Sequence, residues 1–336
     1  MRPFYTFSDA EHQELLTTLS LVRENPYQNY SAFSNSITSL IASDNVPSFF
    51  RELCTKILRE REAGISDAHV LRNCPIDPHI PDLNLDHPVM DKYEKKKTFI
   101  GEVLLALFAR LADTPLLAYD SRNNGDFFTD VIAINRYSGM QTGFSDSELM
   151  YHNDRTAHAV RADYISLLGL RCPQDDLIYT GFVDGRNLLT HLSDGEQKTL
   201  RQPYFITPFD VFSRDTNSHQ IVSGKHPILE NHHSFRYYDT TTTVASDSPE
   251  EAKDALIAIK NALAKAERVR HRLLNGDLLV FANQDGLHNR EKVEINDPER
   301  ARTRWLLKTY AFRNREAAAR HEPKWVDGVS GRVADD

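Results

Sequence analysis

The sequence has little cysteine, which limits how the chain can be held together. Of its 336 residues only three are cysteines, Cys54, Cys74 and Cys172. They are too few and too scattered for a disulfide framework or a cysteine-rich zinc cluster. We therefore expect a cytoplasmic protein in a reducing environment, stabilised by the large core that a chain of this length can bury.

Long apolar runs and a basic surface are missing as well. No run approaches the roughly 18 apolar residues of a membrane span, and the N-terminus lacks the apolar segment of a secretory signal. The 40 Lys and Arg residues face 48 Asp and Glu residues, a net charge of −8, with no basic stripe. We expect no membrane or nucleic-acid partner. A homo-oligomer is compatible with the sequence.

Histidine, in contrast, is well represented. The chain has 14 histidines, and its 40% hydrophobic and 26% charged residues are typical of a globular protein. Histidine is the commonest metal ligand and titrates near neutral pH. Most of the 14 must have ordinary roles, so spacing has to identify the functional ones.

The sequence pattern changes from helical to strand-like near residue 125. Residues 1–120 predict a helical N-terminal layer, and residues 125–313 predict a β-rich core. Residues 207–247 form a long polar insertion, a type of segment that is usually functional or mobile. Residues 314–336 read as a charged, peripheral tail. Because no linker separates the halves, we expect a single domain over residues 1–336, of the α+β class with a mainly β core.

Local patterns give the expected elements. Helices are predicted from a capping box at Ser8–Glu11, at about 31–43, 47–63 and 92–113, and from a second capping box at Ser248–Glu251 to about Leu273, where Asn275–Gly276 ends the pattern. Strands are predicted at Phe127–Ile134, Tyr164–Leu170, Leu177–Val183, Tyr204–Ile206, Leu278–Phe281 and Trp305–Phe312.

Three residues suggest a metal site. His152 and Asp154 are two apart, and on an extended strand such residues point to the same side. His288 follows the predicted strand Leu278–Phe281. Two histidines and one carboxylate on one face of an octahedral ion form the facial triad of non-haem Fe(II) oxygenases. A His-x-Asp pair alone is common and most often has no such role, so the distant histidine matters.

Further motifs in the sequence are similar to those of a known protein family. Thr180 lies 26 positions after Asp154, and Arg304 opens the run Arg304–Lys308, which begins 16 residues after His288. Together with Gly276–Phe281 and Leu287–Arg290, this pattern resembles the Fe(II)/2-oxoglutarate-dependent oxygenases of the taurine dioxygenase and clavaminate synthase branch. Within it, the chain looks most like the hydroxylases of free amino acids such as lysine and arginine.

The resemblance implies a fold and a set of roles. The fold would be a double-stranded β-helix, a cupin-like jelly roll, with flanking N-terminal helices and residues 207–247 as a lid. His152, Asp154 and His288 would hold Fe(II), leaving positions for 2-oxoglutarate and O₂. Arg304 and Thr180 would bind the 2-oxoglutarate carboxylate that lies far from the metal. Arg302 fits the family's His-to-Arg gap better, but Arg304 lies in the matching strand. Because related halogenases lack the carboxylate ligand, Asp154 favours hydroxylation.

The resemblance also suggests the substrate. Gln141 would bind the head of a free L-amino acid, Arg236 or Lys308 its carboxylate, and Asp239 a basic side chain. The expected activity is hydroxylation of L-lysine, with the 4-position favoured. Arginine hydroxylation or desaturation by the same family remains an alternative. From other classes, a cupin-type metal enzyme that does not use 2-oxoglutarate, or a non-catalytic small-molecule-binding barrel, would also fit the residues.

Overall fold

A computed structural model describes residues 1–216 and 221–334, and these form a mixed helix and sheet protein. The helices are α1 Asp9–Leu19, α2 Tyr30–Ala42, α3 Ser48–Glu62, α4 Pro88–Lys95, α5 Ile100–Leu111, α6 Gly185–Leu189, α7 Asp194–Leu200, α8 Val211–Thr216, α9 Glu250–Lys265, α10 Pro298–Arg302 and α11 Arg315–Ala319. No helix within this described part is long and apolar enough to cross a membrane.

The strands build two main sheets. They are β1 Tyr5–Thr6, β2 Ala68–Arg72, β3 Leu116–Tyr119, β4 Thr129–Val131, β5 Leu149–His152, β6 Tyr164–Arg171, β7 Leu177–Asp184, β8 Phe205–Ile206, β9 Thr243–Val244, β10 Val269–His271, β11 Leu278–Ala282, β12 Gly286–Glu294, β13 Trp305–Ala311 and β14 Arg332–Val333. The larger sheet has the order β1-β2-β11-β6-β13-β3-β14, with β4 also on β13, and the smaller has the order β10-β7-β12-β5.

The two sheets face each other as in a jelly roll. Phe182 of β7 and His288 of β12, in the smaller sheet, contact Phe281 of β11 in the larger one, at ring distances of 6.0 and 4.7 Å. On its other side the larger sheet packs against α5, whose neighbours Leu168 and Leu307 belong to the same core cluster. Burial of both faces explains why β6, β11 and β13 read as continuous apolar runs.

Most of the expected elements are present. The Ser8–Glu11 capping box opens α1, α2 and α3 match their predictions, and the six predicted strands are found, although Phe127–Ile134 is reduced to Thr129–Val131. The predicted helix at 92–113 is wrong. It is two helices, because the extended Lys96 turns its ammonium inward to Asp77 and Glu102 at 2.8 Å each.

The second capping box is also wrong. Ser248 donates to the carbonyl of Tyr204 at 3.0 Å, and Pro249 is the N-cap of α9, without a side-chain hydrogen bond to the helix. The helix ends at Lys265 rather than near Leu273, because Val269–His271 pairs with β7 as an edge strand. Asn275–Gly276 instead makes the turn into β11, where Gly276 has φ +76° and a Cβ would lie 2.7 Å from the Cys74 carbonyl.

The tail is not wholly peripheral. Arg332–Val333 adds a parallel strand beside β3, and the Val333 side chain is fully buried. The insertion, residues 207–247, lies over the smaller sheet, where Tyr238 bridges to His152. Four of its residues, 217–220, lie outside the described part.

Candidate active site

The structure brings the three predicted metal ligands together. His152 ends β5, and His288 lies opposite it on β12 in the antiparallel register, with ring centroids 4.2 Å apart. The Asp154 Oδ1 atom lies 3.4 Å from His152 Nε2 and 3.9 Å from His288 Nε2. One ligand atom from each residue falls within 4.8 Å of the others. This is the two-histidine, one-carboxylate arrangement that suits a non-haem iron.

Asp154 lies in the site as predicted, but its position in the secondary structure differs from the prediction. It lies beyond the end of β5, in a turn, so it does not share a strand face with His152. The side chain of Asn283 fixes this turn, because its Oδ1 accepts from the Asp154 backbone N–H at 2.8 Å and its Nδ2 donates to the Asp154 carbonyl at 3.2 Å. These two hydrogen bonds fix the backbone from which the Asp154 carboxylate reaches the histidines.

The histidines are oriented for metal binding. The Nδ1 atom of His152 lies 2.7 Å from the Met150 carbonyl oxygen, which can only accept, so Nδ1 carries the proton and Nε2 offers its lone pair. The Tyr238 ring stacks on His152 at 4.9 Å. Burial lowers the pKa of His288 well below its ordinary value. His288 is therefore neutral and able to ligate.

Lys308 is the nearest cation to the triad. It points inward from β13, and its ammonium contacts the Asp154 carboxylate. Burial opposes the ionisation of Asp154, but Lys308, then His152 and His288, hold the pKa of Asp154 well below its ordinary value. The carboxylate is charged and ready to act as a ligand.

Arg304 lies directly before β13, four residues before Lys308. Its side chain is 8% exposed, and its Nη2 atom is buried with no hydrogen-bond partner among the described residues. Burial lowers its pKa from the usual arginine value. A buried guanidinium of this kind requires an anion. The carboxylate of a bound dicarboxylate fits that requirement.

The competing Arg302 has partners. It belongs to α10, and its guanidinium contacts Asp146 at 2.9 Å and the side-chain oxygen of Asn135. Thr180 is buried on β7, between Ile178 and Phe182 on the face that points toward the larger sheet. The geometry therefore favours Arg304 over Arg302 and places Thr180 on the interior side.

Of the four expected substrate residues, only Gln141 lines the cavity beside the triad, which we call the active-site cavity. Its Nε2 donates to the Glu148 carbonyl at 3.0 Å, and its Oε1 accepts from the Met150 N–H at 3.2 Å. Gln141 is thus fixed against β5.

Arg236 and Asp239 are placed elsewhere. Arg236 donates to the carbonyls of Thr156, Ala157 and His158 at 2.7–3.3 Å, so it holds the cavity wall in place. Asp239 accepts from the Tyr237 hydroxyl at 2.6 Å and from Lys260 at 3.1 Å, and it does not line the cavity.

The sequence interpretation missed several cavity residues. Arg122, Arg155, Asp210 and Tyr238 line the active-site cavity. Arg155 directly follows a proposed ligand, and this position could have drawn attention to it. Arg122 and Asp210 come from distant loops and carry no local signal. Tyr238 bridges to His152, and the alternation of side chains then directs its neighbour Asp239 to the other side.

Comparison with known proteins identifies the family. The sequence model of the family described as "Taurine catabolism dioxygenase TauD, TfdA family" matches residues 102–310, which include all three triad residues. The chain belongs to this family.

Relatives and solved structures agree with the assignment. The chain is 26% identical to the L-asparagine oxygenase of Streptomyces coelicolor, over 82% of this chain and 80% of the relative. It is 26% identical to the L-lysine 3-hydroxylase of Catenulispora acidiphila, over 52% and 49%. Asparagine oxygenase in complex with Fe(II), 3-hydroxyasparagine and succinate superposes with a TM-score of 0.80 at 20% identity, with 98% of both chains covered.

A further solved structure has the same fold. The non-heme iron oxygenase OrfP, in complex with Fe and alpha-ketoglutaric acid, superposes with a TM-score of 0.77 at 19% identity, covering 98% of this chain and 99% of that one.

This TauD/TfdA-family protein is an oxygenase that uses Fe(II), 2-oxoglutarate and O₂. The expected enzyme class and cofactors are thereby confirmed. When bound, iron and 2-oxoglutarate supply the oxidising power that inserts one oxygen atom into a C–H bond. The protein's own side chains hold the ion, orient both organic ligands and keep water away.

Proposed function

We propose that this oxygenase hydroxylates a free L-amino acid. One C–H bond becomes C–OH, one O₂ is consumed, and 2-oxoglutarate is released as succinate and CO₂. The observation that carries the proposal is the ammonium of Lys308 at the triad. A buried cation at this point, in contact with a proposed metal ligand, is placed to bind the α-carboxylate of an amino acid close to the metal.

Gln141 supports recognition of the other half of the amino-acid head. Its Oε1 accepts one backbone hydrogen bond, from Met150. An amide oxygen has two lone pairs, so a second position is available for a substrate ammonium. In this proposal Lys308 and Gln141 fix the two charged groups of the head.

The 2-oxoglutarate site is proposed to consist of Arg304 and Thr180. Arg304 offers a planar pair of N–H donors that matches a carboxylate, and burial strengthens such a contact. Thr180 would add a hydroxyl donor. The iron site is proposed to consist of His152, Asp154 and His288, on the geometry above.

We also propose that the described parts of residues 207–247 cover the active-site cavity. Thr207, Pro208, Asp210, Ser213 and Tyr238 of this segment line the cavity. A cover of this kind excludes water from the reaction.

The choice of lysine, with oxidation at its 4-position, rests on the sequence resemblance and remains a prediction. The residue expected to bind the basic side chain of the substrate is Asp239, but its carboxylate contacts Lys260 and Tyr237 instead. We therefore base the proposed function on the head of the amino acid.

The test is a substrate screen. The protein would be incubated with Fe(II), ascorbate, 2-oxoglutarate and each common L-amino acid, and the products would be analysed by mass spectrometry. We expect one amino acid to gain the mass of a single oxygen atom, with succinate formed only when 2-oxoglutarate is present. Absence of any oxygenated amino acid would contradict the proposal. Lys308→Met should raise the KM for the amino acid more than the KM for 2-oxoglutarate.

A further inference from the structure

Arg290 lies on the interior face of the smaller sheet, beside the proposed 2-oxoglutarate site. In the antiparallel pairing of β12 with β7, Arg290 lies opposite Thr180, and His288 lies opposite Phe182. Residues opposite each other in such a pair share one face of the sheet, with Cβ atoms about 5 Å apart. Because His288 and Phe182 contact Phe281 of the larger sheet, this face points into the jelly roll. Arg290 is therefore an interior neighbour of Thr180.

Arg290 also lines a cavity together with Arg304, and we call it the arginine cavity. It lies between β7, β12 and α10, from which Ile178, Lys292 and Arg302 also line it. Its volume of about 170 Å³ gives room for a carboxylate group and several water molecules. Burial and then the charge of Arg304 lower the pKa of Arg290 to about 10. The two guanidinium groups are thus close enough to repel each other, and Arg290 keeps its charge at neutral pH.

Cations outnumber carboxylates along the arginine cavity. The charged residues that line it within the described part of the chain are Arg290, Lys292, Arg302, Arg304, Asp146 and Glu299. Asp146 pairs with Arg302 at 2.9 Å, and Glu299 is exposed on α10. Neither Arg290 nor Arg304 forms an ion pair with a described residue. Two guanidinium groups therefore face this cavity without a carboxylate partner.

The hydrogen bonds of Arg290 leave most of its donors available. Its Nε donates to the Ser147 carbonyl at 2.8 Å, and its Nη2 donates to the Thr142 carbonyl at 3.4 Å. A guanidinium has five N–H groups, and the others of Arg290 have no partner among the described residues. The two carbonyls, from the loop before β5, fix the orientation of the planar group. Its remaining donors are available to an anion.

We propose that Arg290 is a second cation for the carboxylate of 2-oxoglutarate that lies far from the metal, and that it acts together with Arg304 and Thr180. This inference rests on the proposed function, in which Arg304 and Thr180 alone hold that carboxylate. A carboxylate has about four lone-pair sites, enough for two guanidinium groups and one hydroxyl. Its charge would relieve the repulsion between the arginines, so the protein should select a 2-oxo acid with a second carboxylate over one without.

The first experiment compares two ligands that differ only at the end far from the metal. 2-Oxopentanoate has the carbon chain of 2-oxoglutarate but ends in a methyl group. Binding of each to the Fe(II)-loaded protein would be measured by anaerobic calorimetry, without an amino acid. We expect the wild type to bind 2-oxoglutarate about 1000-fold more tightly, because the methyl group leaves both arginines without an anion. Equal binding would overturn both this inference and the proposed 2-oxoglutarate site.

The second experiment removes Arg290. Arg290→Gln should weaken binding of 2-oxoglutarate about 30-fold and change binding of 2-oxopentanoate less than about 3-fold. Arg290→Lys keeps a cation and should restore part of the preference. Arg270→Gln is the matched control, because Arg270 lies on the edge strand β10, is 55% exposed and pairs with Glu291. It should leave the binding of both ligands unchanged. Circular dichroism would check that each variant is folded.

Selectivity distinguishes this role from support of the loop before β5. If Arg290 only held the two loop carbonyls, Arg290→Gln would weaken both ligands alike or weaken neither, and either result would overturn the proposal. Loss of the preference in Arg304→Met but not in Arg290→Gln would also overturn it and leave the proposed function intact. If Arg290→Gln does not fold, Arg290→Lys decides: a loss of about 5-fold for 2-oxoglutarate alone is expected, and an unchanged preference overturns the proposal.

Discussion

Buried cations occur in two regions of this molecule, and their surroundings differ. In the N-terminal layer, Lys92 contacts Asp130 at 2.7 Å, and Lys96 contacts Asp77 and Glu102 at 2.8 Å each. In the jelly-roll core, Arg304 is also buried but has no carboxylate partner within the described residues.

The difference assigns Lys92 and Lys96 to the stability of the fold and Arg304 to ligand binding. A buried charge with a protein counter-charge contributes to one fixed arrangement of the chain. A buried charge without one carries a free-energy cost, which persists where a ligand offsets it. The predictions below test this comparison, from the largest expected effect to the smallest.

Removal of a metal ligand should have the largest effect. We expect Asp154→Ala or His288→Ala to reduce turnover about 1000-fold or more, because the iron loses one of three protein ligands. Fe(II) binding would be measured by calorimetry and folding by circular dichroism. His191→Ala, a change at an exposed histidine, is the control. A metal chelator should abolish wild-type activity, and excess Fe(II) should restore it. Full activity in either ligand variant would refute the assigned site.

Removal of Arg304 should separate function from stability. Arg304→Met should raise the KM for 2-oxoglutarate about 100-fold. It should also raise the free energy of unfolding by about 1–2 kcal/mol, because an unpaired buried charge is replaced by apolar atoms. Arg302→Met should do neither, since it removes only a partly exposed pair with Asp146. Steady-state kinetics would measure the KM for 2-oxoglutarate, and urea denaturation would measure the free energy of unfolding, in both variants. If Arg302→Met alone weakens 2-oxoglutarate binding, the assignment of the arginine is wrong.

The paired cations should behave in the opposite way. Lys96→Met should lower the free energy of unfolding by about 3–5 kcal/mol, because two buried carboxylates lose their partner. Its kcat should stay near the wild-type value under conditions where the protein is folded. The neighbouring Lys95 forms a surface pair with Asp91, so Lys95→Met should cost less than about 1 kcal/mol. Equal losses from the two variants would contradict the comparison.

A smaller effect on the free energy of unfolding is expected when the pH is lowered, because one buried histidine stays neutral in the folded protein. Burial, followed by Arg236, lowers the pKa of His226 to about 3. Between the unfolded value near 6.5 and this value, the unfolded chain binds a proton that the folded chain does not. Stability should therefore fall as pH falls through this window.

The contribution of His226 can be isolated from the dependence of the free energy of unfolding on pH. Between about pH 7.5 and pH 5.5, His226→Gln should lose about 1 kcal/mol less stability than the wild type. Urea denaturation at both pH values measures this. An identical pH dependence in the two proteins would show that His226 does not contribute.

The metal site was predictable from the sequence because its two histidines lie on regular strands and Asp154 follows His152 by only two residues. His152 and His288 become neighbours through strand pairing, which the β-rich texture of residues 125–313 already implied. The resemblance supplied Arg304, and burial distinguishes it from Arg302.

The substrate side of the site was less predictable. Arg122 and Asp210 reach the cavity through loops whose paths depend on the whole fold. Asp239 was assigned to the substrate from a local motif, but the packing of Tyr238 on His152 sets the direction of its side chain. The break in the helix at Lys96 likewise depends on two carboxylates that are distant in space until the chain folds.

The most direct test of the account is the fate of oxygen atoms during turnover. With labelled O₂, the wild-type enzyme should place one labelled atom in the hydroxylated amino acid and one in succinate, in equal amounts. Arg304→Met should reduce both together. Succinate formed without any labelled amino-acid product, for every amino acid supplied, would contradict the central claim.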